Sequence, residues 1–374
     1  MSGIYIHIPF CKQACIYCDF HFSTTLKNKA ALLTCINKEL ELRKEELTHE
    51  PIQSIYFGGG TPSICTKAEL AVLLETINKN YAVDPSCEIT LEANPDDLTK
   101  VKIDELKSIG INRLSIGVQS FFEEDLVWMH RAHSVKDATA CIDHALQGGI
   151  SNISVDLIFA TPLLTDDKLE KNIKILTQLA IPHLSCYNLT IEEKTSLHHL
   201  VKLKKVVPVL DEVAVRQFYF IRNHLQQQGY EHYEISNYAK PGSYSKHNTS
   251  YWQRKKYLGV GPSAHSYTGY SRSWNIRNNE TYIRSLTQNK LPSEMETLTM
   301  NNRFNEVLLT GLRTQWGVNL TELKQEFQTQ YTSFQNQIIP LVNEAKLIVT
   351  EDKLTISPSF LIMADRIASE LFII

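Results

Sequence analysis

Over roughly the first two hundred residues, short apolar runs alternate with longer amphipathic ones. The runs Gly3–Ile8, Ile52–Phe57, Glu88–Glu92, Arg113–Gln119, Ile153–Ile158 and His183–Leu189 are rich in branched and aromatic residues and read as strands. They recur roughly every thirty residues, the length of one βα unit. The segments between them carry helical spacing. Leu70, Leu73, Leu74 and Ile77 form one i, i+3, i+4, i+7 stripe. Thr66 and Glu69 form a capping-box pair just ahead of it. Ala138, Cys141, Ile142 and Ala145 form a second stripe behind Ser134 as N-cap, and Leu169, Ile173 and Leu176 form a third.

Repeated βα units predict an α/β fold with a parallel sheet, either open or closed into a barrel. Polar residues at the strand ends bear on that choice. Cys11 follows the first strand and Gly58-Gly59-Gly60-Thr61-Pro62 the second; Glu92 ends the third, Gln119 ends the fourth, and Asp156 sits within the fifth. Polar groups delivered by many strands to one end favour a barrel or partial barrel over an open sheet, which gathers its site at one switch point.

Past residue 205 the alternation fades. A helix is predicted over Asp211–Gln228, followed by a Gly-, Tyr- and Asn-rich stretch, Gly229–Asn279, with few regular signals. From Leu298 the chain reads as helical again (Phe304, Val307, Leu308, Gly311, Leu312). It then shows a small hairpin, Leu347-Ile348-Val349 and Leu354-Thr355-Ile356 around Glu351-Asp352, and a last helix. This divides the chain into a core over 1–205, a core extension over 206–297 and a C-terminal accessory domain over 298–374. The accessory domain has a winged-helix-like element order. It lacks a basic recognition helix, so it reads as a packing appendage rather than a DNA reader.

Composition removes several classes. Lys and Arg total 38 against 41 Asp and Glu, a net charge of −3, which argues against a phosphate-tracking nucleic-acid binder. No apolar run approaches the roughly 18 residues of a membrane span. The opening Met1–Ile6 has no basic leader, so no secretion signal is expected. A chain of 374 residues builds its core without disulfides. The eight cysteines are unevenly spread. Cys35, Cys65, Cys87, Cys141 and Cys186 lie singly, mostly in apolar segments, and read as core thiols in a reducing cytoplasm.

The other three form Cys11-Lys12-Gln13-Ala14-Cys15-Ile16-Tyr17-Cys18, a CxxxCxxC run. Three thiolates this close can hold one metal centre but leave it a ligand short. A structural zinc needs a fourth ligand, for which His7, Asp19 and His21 are candidates. A [4Fe–4S] cluster held by three thiolates keeps one iron open for a small chelating ligand.

The run resembles the signature of the radical S-adenosylmethionine (SAM) superfamily. The resemblance implies that SAM chelates the open iron through its amino and carboxylate groups, and that electron transfer cleaves it to a 5′-deoxyadenosyl radical. Tyr5-Ile6-His7-Ile8-Pro9-Phe10-Cys11 is similar to the opening of the branch that holds the oxygen-independent coproporphyrinogen III oxidases and their related heme chaperones. That branch implies a (β/α)₆ partial barrel in which Tyr5 contacts SAM. It also implies SAM contacts from the glycine motif (Gly59, Gly60, Thr61), Glu92 in Leu91–Pro95, Gln119 in Leu114–Ser120, Arg131 in Met129–Ser134 and Asp156 in Val155–Ile158. Phe159-Ala160-Thr161-Pro162 departs from the family's aromatic-Gly-x-Pro turn, because Ala160 tolerates a positive φ less well than glycine.

Within the branch, the oxidases carry a fourth cysteine two residues beyond the third and a longer leader. Here position 20 is Phe and the motif starts at residue 11. His247-Asn248-Thr249-Ser250-Tyr251-Trp252 resembles the HNxxYW pattern of the heme chaperones, and Gly259–Ser266 resembles a segment shared across the family. The resemblance implies a protein that binds heme, with His247 as candidate axial ligand, and delivers it to respiratory-chain hemoproteins. An iron-storage or electron-donor protein is a further candidate partner, and a homodimer a candidate assembly. The alternative is the oxidase itself, which removes carboxyl groups from porphyrinogen propionates.

Overall fold

The computed structural model describes residues 2–47 and 50–374. Six strands, β1 (Ser2–Ile8), β2 (Ile52–Gly59), β3 (Val83–Ala93), β4 (Arg113–Gln119), β5 (Ile153–Phe159) and β6 (His183–Asn188), lie side by side in chain order, each parallel to the next. Helices α1 (Lys29–Leu42), α2 (Lys67–Asn80), α3 (Lys100–Ser108), α4 (Glu123–Trp128), α5 (Val135–Gln147), α6 (Asp166–Gln178), α7 (Ser196–Lys202) and α8 (Asp211–Gln227) fill the connections. The predicted capping box, Thr66 with Glu69, opens α2, and Ser134 with Asp137 forms another at the start of α5.

Strict alternation along the strands separates two environments. Ile4, Ile6 and Ile8 of β1, Phe57 of β2, Leu91 of β3, Leu114 and Ile116 of β4, and Ile153 and Val155 of β5 are all fully buried. They share one core with Ile36 and Leu40 of α1, Leu70 to Ile77 of α2, Ile142 of α5 and Ile173 of α6. The opposite face of the same strands carries Tyr5, Tyr56, Glu92, Ser115, Asp156 and Ser185. The oil thus lies between sheet and helices, and the concave face of the sheet is polar.

The Gly229–Asn279 stretch is more ordered than its sequence suggests. It holds β7 (Glu231–Glu234), β8 (Asn237–Ala239), α9 (Lys246–Trp252), β9 (Lys256–Val260), β10 (His265–Tyr267) and β11 (Ser271–Asn275). Strands of three to five residues are too short to display a period, and β8 and β9 join the sheet through β6 and β1, far away in sequence. β9 runs parallel to β1 on its free edge, followed by β10, β11 and β12 (Ser293–Thr297) in antiparallel order. β8 pairs antiparallel with β6, and β7 with β8. The result is a twelve-stranded sheet in which β1 and β6 bond to other neighbours rather than to each other, so the six-stranded barrel is partial.

A buried carboxylate fastens the added strands. Glu39 of α1 is fully buried and accepts from Arg43 (3.0 Å), Gly261 N (2.9 Å), Asn275 Nδ2 (2.8 Å) and the Tyr282 hydroxyl (2.5 Å). Arg43 also donates to Gly259 O (2.9 Å) and Ser266 Oγ (3.0 Å). Tyr282 belongs to α10 (Asn279–Thr287), which packs beside α1.

The C-terminal unit has its own core, built on Phe304, Phe327 and Phe334, whose rings meet edge to face. Its elements are α11 (Met300–Leu312), β13 (Val318–Asn319), α12 (Leu320–Glu326), α13 (Gln328–Asn343), the hairpin β14 (Leu347–Thr350) and β15 (Lys353–Ile356), and α14 (Ala364–Glu370). The hairpin and last helix stand where the sequence predicts them. All eight cysteines are free. Among the described residues no helix is long and apolar enough to cross a membrane.

Arg43→Ala leaves the Glu39 carboxylate buried without its cation. It is expected to lower the stability of the folded chain by about 3–5 kcal/mol. Urea denaturation followed by circular dichroism checks this, and an unchanged midpoint contradicts it.

Candidate functional site

The three clustered cysteines lie on the loop that leaves β1, and separate parts of the chain hold that loop. Gly60 N donates to Ile8 O (2.9 Å) and Thr61 N to Phe10 O (2.7 Å), which ties the start of the loop to the end of β2. Cys11 N donates to Ser23 O (3.0 Å). Ile16 N reaches Met129 O (3.3 Å), and Leu197 N reaches Ile16 O (2.8 Å). His130 Nδ1 is bonded to Ala14 O at 2.7 Å. Lys12 pairs with Asp96 (2.6 Å) and with Asp97. Arg131 donates to Cys15 Sγ (3.3 Å), Asn94 Oδ1 (2.8 Å) and Gly117 O (2.7 Å). The three thiols are partly accessible, whereas the other five are buried. Burial raises the Cys11 thiol above its ordinary pKa, and burial with the neighbouring thiols pushes Cys18 up to about 11.

The glycine motif is required by the chain's own packing. A Cβ on Gly60 would lie 2.6 Å from Phe10 N and O, one on Gly58 2.9 Å from the Tyr5 and Tyr56 rings, and Gly59 has φ +108°. Gly59 N donates to Glu92 Oε2 (3.1 Å), while the Tyr56 hydroxyl donates to Glu92 Oε1 (2.8 Å). Tyr5 stacks on Tyr56, and its hydroxyl meets His7 Nδ1 at 3.1 Å. Enclosure in the lumen raises Glu92 to about 7, and the nearby Asp156 adds to the rise against the Tyr56 and Gly59 hydrogen bonds. Asp156 is raised to about 6 by burial, opposed by Ser185, Arg113 and Arg131. Gln119 takes φ +70°, and Gln119 Oε1 and Asp156 Oδ1 are buried with no hydrogen-bond partner. Ala160 adopts φ +57°, so alanine here makes the left-handed turn that suits glycine; its N–H donates to Gln217 Oε1 (2.9 Å).

The fold therefore brings Tyr5, Gly59, Gly60, Thr61, Glu92, Gln119, Arg131 and Asp156 into the lumen or beside the loop that carries Cys11, Cys15 and Cys18. The groups that could close a zinc site are engaged elsewhere. His7 Nε2 is bonded to His21 O (3.0 Å), His21 Nε2 to Asn279 Oδ1 (2.8 Å), and Asp19 is paired with Arg277 (3.5 Å). By its donor chemistry, a set of three thiols without a fourth ligand suits a cluster with one open iron, although among the described residues no three such side chains stand close enough to hold a metal ion as they are. Unsatisfied polar atoms in the lumen fit a polar ligand beside it.

His247 is placed differently. It lies at the opposite end of the lumen and is 1 % exposed, with Nδ1 bonded to Ser54 Oγ (2.8 Å) and Nε2 to the Tyr251 hydroxyl (2.7 Å). An iron ligand needs a free ring nitrogen and an approach path, and this geometry offers neither, so the expected heme ligation by His247 does not fit the fold. Tyr56 and Asn94 also belong to the site without having been singled out in the sequence; for Tyr56, two residues before Gly58, strand parity was the available signal.

The radical SAM superfamily profile matches residues 5–176. A relative named heme chaperone HemW from Mycobacterium tuberculosis (strain CDC 1551 / Oshkosh) is 32% identical over 326 residues, 86% of this chain and 84% of the relative. One of the same name from Bacillus subtilis (strain 168) is 33% identical over 347 residues, 91% and 90% of the two chains. The solved structure of coproporphyrinogen III oxidase (HemN) from Escherichia coli superposes with a TM-score of 0.85 at 20% identity, over 99% of this chain and 90% of that one. The thiol loop, the polar lumen and these matches make the chain a member of the radical SAM superfamily. The likeness to the oxidase establishes the shared fold. Sequence identity across most of both chains places this one in the HemW family.

Gly60→Ala forces a Cβ against the Phe10 backbone at the entry to the thiol loop. A loss of about 1–3 kcal/mol is expected, as for other overpacked sites. Urea denaturation measures it, and wild-type stability would show that the loop yields freely.

Proposed function

We propose that this protein is a heme chaperone on a radical SAM scaffold. The carrying observation is that relatives named heme chaperone match it over 86% and 91% of its length. In this reading Cys11, Cys15 and Cys18 hold a [4Fe–4S] cluster. Tyr5, Gly59, Gly60, Thr61, Glu92, Gln119, Arg131 and Asp156 surround SAM. When bound, the cluster supplies an electron and one open iron for the amino and carboxylate groups of SAM. Arg131 orients the Cys15 thiolate through its 3.3 Å contact and ties the loop to Asn94 and Gly117. Glu92, once ionised, accepts from the ammonium or a ribose hydroxyl. The recipients are respiratory-chain hemoproteins, reached from the cytoplasm. Position 20 supports the chaperone over the oxidase: where the oxidase pattern has a fourth cysteine, this chain has Phe20, 70 % exposed.

Hemin titration of the anaerobically reconstituted protein, followed by absorbance against an albumin control, tests the reading. Saturable, stoichiometric binding without turnover of coproporphyrinogen III is expected. Turnover without specific hemin binding would replace the chaperone by the oxidase. Cys11→Ser, Cys15→Ser and Cys18→Ser should each abolish cluster assembly in iron and labile-sulfide assays, while Cys35→Ser and Cys186→Ser retain it. A first-group variant with full iron and sulfide content would refute the ligand set.

A further inference from the structure

The HNxxYW segment is the helix α9, which closes the lumen from below. Ser245 caps it, its Oγ accepting from Asn248 N at 3.3 Å. The backbone N–H groups of Lys246 and His247 donate to the two carboxylate oxygens of Glu88, 3.2 Å each. This seats the imidazole of His247 beneath the two tyrosines of the lumen. Its ring lies 5.0 Å from the Tyr56 ring at 24° and 6.4 Å from the Tyr5 ring at 27°. Ser54 Oγ and the Tyr251 hydroxyl hold its two nitrogens, so the ring cannot turn without losing a buried hydrogen bond. The sequence leaves room for it: a Cβ on Gly3 would lie 3.2 Å from the imidazole and 2.8 Å from Ser54 Oγ. Tyr56, stacked on that fixed ring, donates its hydroxyl to Glu92 Oε1 at 2.8 Å.

We infer that His247 is a positioning residue for the SAM site, fixing the Tyr56 ring so that the phenol holds Glu92 toward the bound cofactor. The chain of contacts is Glu88 to the start of α9, His247 to Tyr56, and Tyr56 to Glu92. Every link is a hydrogen bond or a ring stack between buried or part-buried groups. Removing the imidazole opens a ring-sized void under Tyr56, and the phenol, free to tilt into it, gives up Glu92. Burial then acts on that carboxylate with one counteracting hydrogen bond fewer. The inference rests on the reading that Glu92 contacts SAM. It gives the HNxxYW segment a role in the SAM site.

The test measures the dissociation constant of SAM by equilibrium dialysis on the reconstituted protein, at equal iron content, with hemin titration in parallel. His247→Ala is expected to weaken SAM binding about tenfold, the worth of one lost buried hydrogen bond, and to leave hemin binding unchanged. Tyr56→Phe should weaken it similarly, and His247→Ala added to Tyr56→Phe should cost little more. His247→Gln, which keeps a flat polar group able to reach Tyr251, should recover part of the loss. Should His247→Ala fail to fold, Tyr251→Phe takes its place in the same cycle. Equal losses from His247→Ala with and without the Tyr56 hydroxyl would overturn the inference, because a general loosening of the fold acts in both backgrounds. Loss of hemin binding with unchanged SAM affinity would overturn it as well and return His247 to the heme. A wild-type protein that binds no SAM would fail earlier, at the reading of the lumen itself.

Discussion

A parallel sheet with its apolar side chains turned out to the helices has a polar concave face, and that face must be satisfied from within. This constraint governs the rest of the molecule. In the lower lumen the sheet satisfies much of its own polarity, with Thr90 Oγ1 and Arg113 Nε left without a partner. Ser54 is bonded to His247, and Ser154 to His183 at 2.7 Å. His183 Nε2 meets the Tyr233 hydroxyl at 2.7 Å, and Glu88 holds the start of α9. In the upper lumen the accounts stay open. Gln119 Oε1 and Asp156 Oδ1 have no partner, and Glu92 and Asp156 sit with raised pKa values close enough to influence each other. Buried polar atoms left unpaired cost stability unless a ligand completes them.

The thiol loop follows from the same arrangement. It is positioned by hydrogen bonds from the end of β2, from the segment after α4 and from α7, with the Lys12 ion pairs and the packing of Tyr17 against Leu126, Met129 and Ile158 added. Three cysteines within eight residues could adopt many geometries as a free peptide. Anchors at both ends and in the middle reduce that freedom before any cluster is present, which lowers the ordering entropy that assembly must overcome.

Much of this was legible in the sequence because it is periodic or local. The six strands, the α2 capping box and the polar strand ends carry their signal within a few residues of one another. The segment over 229–279 was not legible, because β7 to β11 are three to five residues long and the segment joins the sheet only through the distant β1 and β6. The site divides the same way. Cys11, Cys15, Cys18 and the glycine motif are recognisable as runs. Tyr56 is one aromatic residue among sixteen tyrosines until its strand partners are known. His247 shows the opposite hazard. A histidine beside Tyr and Trp suggests a heme ligand by chemistry alone, whereas the fold occupies both of its nitrogens with neighbours at 2.7 and 2.8 Å.

The helix that carries His247 also touches the C-terminal unit. At its far end Trp252 lies under the guanidinium of Arg313, 5.1 Å from the ring centroid, and Arg313 O accepts from Ile235 N at 3.1 Å. Trp252 and Arg254 line a cavity of about 320 Å³ together with Val307, Thr310 and Glu326 of the C-terminal unit. One seven-residue helix therefore has its first turn in the barrel floor and its last against the accessory domain. Each core has its own set of buried residues, and Ile235 and Leu361 pack against both. The C-terminal unit thus touches the helix that floors the lumen while contributing none of the residues proposed for SAM or the cluster.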